Sequence, residues 1–143
     1  MAEFTYNPIQ TVQPGQNVLL NTSIGCPKGY ILHRNESGIV ILRGIVNNPC
    51  NNFARYQVTF NGNIAVPTDG TVGPISVALA LDREPLQTSN AIVTPTVVDA
   101  YFNVTSTAII TVPKGCCFTV AVENTSTGAI DIQNANMTVS RIA

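Results

Sequence analysis

Apolar and polar residues alternate most clearly over residues 74 to 82, PISVALALD. Ile75, Val77, Leu79 and Leu81 fall in one phase, and Ser76, Ala78, Ala80 and Asp82 in the other. A period of two is the signature of a strand whose successive side chains point to opposite faces. The first set is therefore predicted as core, the second as a small and polar face. Runs rich in Val, Ile, Thr, Tyr and Phe recur along the chain, and no long stretch keeps apolar residues at 3.6-residue spacing. Further strands are predicted over 4–12, 16–21, 30–34, 39–46, 53–60, 99–112, 116–123 and 129–142, divided by turn signals such as VQPGQ, NESG, NGN and STG. About eight to ten strands suit an all-β fold built as a two-sheet antiparallel sandwich, with residues 1–143 as a single domain.

Two segments depart from simple alternation. Segment 39–46, IVILRGIV, is apolar in both phases, with Ile39, Ile41 and Ile45 opposing Val40, Leu42 and Val46. Either another layer covers its second face or a subunit interface does, because an exposed row of large aliphatics aggregates. In segment 116–123, Cys116 shares a phase with Phe118, Val120 and Val122, which predicts that all four enter the core. Cys117 falls in the opposite phase, with Thr119, Ala121 and Glu123.

Composition narrows the function classes. The chain is 45% hydrophobic and only 10% charged, with a net charge of -1, so its polar surface is mostly uncharged Asn, Ser and Thr. No basic run is present to attract nucleic acid or an anionic membrane, and no stretch approaches the roughly 18 apolar residues of a membrane-spanning helix. The N-terminus, MAEFTYNPIQ, lacks a basic segment followed by an apolar run, which predicts synthesis in the cytoplasm and thiols rather than disulfides.

Candidate chemistry is sparse. Adjacent cysteines on opposite faces of a strand do not share one ion, and nothing around GCCF resembles a redox motif. Cys26 and Cys50 fall in turn-like stretches and are read either as thiols or as a pair that closes a late disulfide. His33 is the one histidine, too little for a zinc hydrolase or a triad, and is expected to be a hydrogen-bonded strand residue. Asp82, Arg83 and Glu84 read as hairpin chemistry rather than a paired-carboxylate site. Sequons begin at Asn21, Asn35, Asn103, Asn124 and Asn136 and are assigned no glycans. No phosphate loop, dinucleotide fingerprint or calcium loop occurs, so no enzyme activity, metal or cofactor is expected.

The order of FARYQVTFNGNIAVP, GPISVALALDREPL, STAIITVPKGCCFTVAVENTS and NANMTVSRIA resembles the trimeric jelly roll of the tumour-necrosis-factor and complement-C1q type. The likeness extends to its bacterial form at the tips of collagen-like spore-surface proteins. It covers about residues 4 to 143, and the string from AEFTYNPIQTV onward is also similar to small structural proteins of tailed bacteriophages and their Gram-positive gut hosts. The resemblance implies a homotrimer on a virion surface, as a capsid decoration or head-fibre module. The alternatives are a spore-surface or appendage protein and a carbohydrate-binding adhesin that takes a surface glycan. The lack of a Gly-X-Y stalk favours decoration, with a capsid or other particle-surface protein as partner and neither nucleic acid nor membrane. It further implies that Tyr56, Val58 and Phe60 are core and that Arg55, Gln57 and Thr59 face neighbouring subunits.

Overall fold

The computed structural model describes residues 2–24, 30–33, 38–44 and 52–142. Its strands are β1 (Ala2–Tyr6), β2 (Gln10–Val12), β3 (Thr22–Ile24), β4 (Ile31–His33), β5 (Val40–Arg43), β6 (Phe53–Ala65), β7 (Ile75–Leu81), β8 (Glu84–Pro85), β9 (Ala91–Val93), β10 (Phe102–Pro113), β11 (Cys117–Asn124) and β12 (Ile130–Arg141). They form two antiparallel sheets. One runs β10-β6-β12-β1-β3 with β2 also beside β12, and the other runs β4-β5-β11-β7-β8 with β9 also beside β7. This is a two-sheet sandwich, as the alternation predicts, with the jelly-roll architecture that the resemblance implies.

The core lies between the sheets. Tyr56, Val58 and Phe60 of β6, Val77 and Leu79 of β7, and Val120 and Val122 of β11 are buried there, together with Ile75. Leu81 and Phe118 are only partly buried and pack on the core from its margin. The Tyr56 hydroxyl donates to the carbonyl of Arg43, with the Tyr30 carbonyl 3.3 Å away, so the ring is anchored across the sandwich. Burial pushes the Tyr56 phenol above the ordinary tyrosine value, and the Arg141 charge works against that shift.

Several segments differ from their predicted form. The NGN triplet at 61–63 is not a turn: β6 runs through it for 13 residues, paired with β10 on one side and β12 on the other. Hydrogen bonding on both sides outweighs the local turn preference of Asn-Gly. Segment 4–12 divides into β1 and β2, both of which pair with β12. The intervening Pro8 has no N–H to give, and β12 shifts register between Gln133 and Asn136 opposite this break. There Asn134 takes a φ of 56° and donates its N–H to the Asn7 carbonyl.

Segment 16–21 contributes one bridge, Asn17 to Glu123, instead of a strand. Its Val18 N–H donates to the Val122 carbonyl at 2.7 Å, in line with β5 along the edge of β11. The approach is close enough that a Cβ on Gly38 would lie 1.8 Å from the Val18 carbonyl oxygen. In the doubly apolar segment, Val40 and Leu42 enter the core while Ile39 and Ile41 are half-buried on the opposite face. Ile41 lies there between Leu32 and Thr119 of the adjacent strands. Ile45 and Val46 lie outside the described residues.

Candidate assembly face

Because side chains alternate, the burial of Tyr56, Val58 and Phe60 turns Arg55, Gln57 and Thr59 to the outer face of the first sheet. The register extends this surface across three strands. Gln57 pairs with Ile109 of β10 and Ser140 of β12, Thr59 with Thr107 and Thr138, and Asn61 with Thr105 and Asn136. The result is a continuous plane of uncharged polar side chains. Arg55 stands near one end, its guanidinium 4.8 Å from the centroid of the Phe53 ring.

Hydrogen bonds order this plane. The hydroxyls of Thr59 and Thr107 are 2.5 Å apart. Asn103 donates from its amide to the side-chain oxygens of Asn61 at 2.9 Å and Asn63 at 3.2 Å, while the Thr105 hydroxyl donates to Asn61 at 3.1 Å. The Asn136 amide donates to the Glu3 carboxylate at the far side. Amid these groups Ile109 is 62% exposed, and Ile142, just past the end of β12 with its N–H donating to the Arg55 carbonyl, is 48% exposed.

The edge of the sheet is equally distinctive. β10 is 12 residues long, FNVTSTAIITVP, with no charged side chain, and among the described residues only β6 pairs with it. Proteins ordinarily blunt long edge strands with lysine, mid-strand proline, bulges or a covering segment. Ile109, Thr107 and Thr105 are functional candidates that the predicted site did not include. Their signal was present as the outward phase of the segment TSTAIITVP.

The doubly apolar segment 39–46 does not contribute to this face, since β5 belongs to the other sheet.

Cys116 is not a core residue. It and Cys117 are both exposed. Cys116 closes the turn that starts at Pro113, its N–H donating to the Pro113 carbonyl at 3.1 Å, and Gly115 supplies the positive φ of 78° within that turn. The alternation of β11 therefore begins one residue too late to carry Cys116 inward. Cys116→Ser and Cys117→Ser are each expected to change unfolding free energy by less than about 0.5 kcal/mol, measured by urea denaturation. A loss above about 2 kcal/mol in the Cys116 variant would restore the buried reading. Cys26 and Cys50 lie outside the described residues.

The other candidates serve local structure. His33 ends β4 with its ring stacked on Phe4, centroids 4.7 Å apart. Asp82 and Arg83 form the β7–β8 hairpin turn with φ values of 50° and 74°. Asp82 Oδ1 accepts from the Thr119 N–H at 2.8 Å and from its hydroxyl at 3.1 Å, which pins the turn to β11. Among the described residues no group of three or more His, Cys, Asp or Glu side chains is placed to hold a metal ion.

Two solved structures share this architecture. The globular domain of zebrafish complement 1qA protein superposes with a TM-score of 0.59 at 13% identity, over 94% of this chain and 93% of that one. Eiger TNF from S. frugiperda superposes with a TM-score of 0.65 at 13% identity, over 100% of this chain and 92% of that one. At such identity the likeness speaks for the fold. No protein-family model and no curated protein matches the chain.

Proposed function

We propose that this jelly roll is a non-enzymatic structural module that assembles as a homotrimer and is displayed on the surface of a particle. In the trimer each copy lays the outer face of β10-β6-β12, with the open β10 edge, against its neighbours. The observation that carries this reading is the combination of a 12-residue edge strand without a charge and an isoleucine 62% exposed on the face beside it. Depletion of charge at the centre with polar and charged groups at the rim is how subunit interfaces are composed. Here Arg55 stands near one end and the Glu3 carboxylate at the far side, while Gln57, Thr59, Thr107 and Thr138 occupy the middle.

Placement on a tailed-phage virion, as a capsid decoration or head-fibre module, rests on the resemblance of the strand segments to phage structural proteins. Immunogold electron microscopy of the particles tests it, with label expected on the capsid shell; label on a spore coat would overturn it.

Assembly is tested directly by light scattering. The mass is expected to be three times the 15.2 kDa of one chain at micromolar concentration, with a melting temperature that rises with protein concentration because folding and association are linked. A mass of 15.2 kDa with a melt independent of dilution would overturn the trimer.

A further inference from the structure

At the end of the sandwich where β6 leaves and β7 and β12 enter, three segments enclose a cleft of about 640 Å³. They are Gln13 after β2, residues 66–67 and 69–74 between β6 and β7 together with Ile75 at the start of β7, and the 127–129 turn before β12. This volume lies within the range of small-ligand sites. The lining shares no residue with the assembly face, so a ligand held there does not depend on the trimer.

Two of the three walls are fixed from inside by one buried side chain. Asn124 is 1% exposed, and its amide donates to the carbonyls of Val12 at 2.9 Å and Gly128 at 3.0 Å. Its Oδ1 accepts from the Ser126 N–H at 2.8 Å. Val12 precedes Gln13, so this asparagine ties both the β2 wall and the 127–129 wall to the end of β11. The third wall closes on itself through the Gly70 N–H, which donates to the Pro67 carbonyl at 2.9 Å, and is tied to the segment before β10 by Asp99, whose N–H donates to the Val66 carbonyl at 2.9 Å and whose carboxylate accepts from the Thr68 hydroxyl at 2.6 Å. The cleft is therefore preorganised, and binding there would cost little ordering entropy.

The lining selects a chemical class. Among the described residues no lysine, arginine or histidine lines the cleft, so none is there to neutralise a phosphate or carboxylate. Asp69 is the one charged side chain among those that line it, too few ligands for a hard cation. The remaining polar groups are an uncharged set of donors and acceptors on Gln13, Thr71 and Thr127, with the Asp69 carboxylate as a strong acceptor. Beside them lie the aliphatic surfaces of Pro67, Val72 and Pro74. Uncharged polar groups and one carboxylate beside aliphatic surface match a neutral sugar, which has hydroxyls at its rim and C–H groups on its faces.

We infer that this cleft is a binding site for a neutral glycan residue, which Asp69, Gln13 and Thr127 hydrogen-bond while Pro67 and Val72 pack on its C–H face. The test records amide chemical shifts of the intact ¹⁵N-labelled protein against millimolar methyl glycosides of neutral hexoses, deoxyhexoses and N-acetylhexosamines. At least one glycoside is expected to shift the amide resonances of Gln13, of the non-proline residues of 66–75 and of 127–129 as a group. Asp69→Ala and Gln13→Ala should each weaken that glycoside roughly tenfold, the loss of about one hydrogen bond, at unchanged melting temperature and oligomeric mass. No shift from any glycoside, shifts confined to another surface, or an unweakened affinity in both variants would each overturn the inference. So would a shift of the same amides by calcium chloride alone that exceeds the effect of every glycoside. Because mass is read in the same samples, loss of the trimer and loss of the glycan site are separate outcomes.

Discussion

Ile109→Lys is expected to convert the assembly into single chains of 15.2 kDa while leaving each chain folded. In the isolated chain Ile109 is 62% exposed, so a lysine there reaches water and removes no core contact. In the proposed trimer the same position is covered by a neighbour, and each copy would bury one ammonium group whose cross-strand partner, Gln57, carries no charge to receive it. Burial of an unpaired charge costs several kcal/mol, and it would be incurred at three sites per assembly. The measurement is light scattering together with far-ultraviolet circular dichroism. A mass one-third that of the unsubstituted protein with an unchanged β spectrum is the expected result. Ile109→Val, which keeps an aliphatic β-branched side chain on the edge, should remain trimeric. If Ile109→Lys stays a trimer, the subunits meet through some face other than β10-β6-β12.

Asn124→Ala is expected to lower the unfolding free energy by about 3 kcal/mol, because three hydrogen-bonding groups lose their partner at a buried position. Those groups are the carbonyls of Val12 and Gly128 and the N–H of Ser126. The backbone of Asn124 still pairs with Val77 and with Gln16, so the strand itself survives the change. Urea denaturation at fixed protein concentration measures the effect, with the slope against denaturant expected to be unchanged. A cost below about 1 kcal/mol would mean that water satisfies the three groups, and that the asparagine does not hold the walls of the cleft. Asn124→Asp should also destabilise, since the carboxylate gives up both amide donors and brings a charge into the interior.

Much of the fold was legible because alternation is a local property of a strand. The phase of FARYQVTF needs no partner to be read: Tyr56, Val58 and Phe60 are buried, and Arg55 and Gln57 are exposed. In β7 the inward phase of Ile75, Val77 and Leu79 is likewise buried, but Ser76, Ala78 and Ala80 of the opposite phase are buried as well, so the small phase predicted as a polar face is covered and alternation alone does not give its exposure. Cys116 marks the limit of alternation as a guide. Its phase agreed with Phe118 and Val120, but phase has meaning only inside the strand, and β11 begins at Cys117. Where a strand starts depends on when the Pro113–Cys116 turn closes and on the register that β5 imposes from across the sheet, beginning with Cys117 opposite Arg43.

The candidate site divides in the same way. The outward set on β6 followed from one segment, whereas the plane that joins Thr59 to Thr107 and Thr138 exists only through pairings between residues 48 and 79 positions apart. The value of Ile109 likewise depends on β10 being an edge, which is a matter of strand order. Asn124 looked like the start of a sequon, and only folding brings its amide to the Val12 carbonyl, 112 residues away.

By itself the sequence determined an all-β chain with a neutral polar surface and the phase of its main strands that enters the core, since the period of two and the side-chain chemistry are carried by neighbouring residues. Only the tertiary structure decided which strand is left at the edge, that Asn61-Gly62-Asn63 continues a strand instead of turning, that Cys116 lies outside, and that Gln13, Asp69 and Thr127 share one cleft. Each of these depends on hydrogen bonds and packing between distant segments, and such long-range contacts override local preference wherever the two disagree.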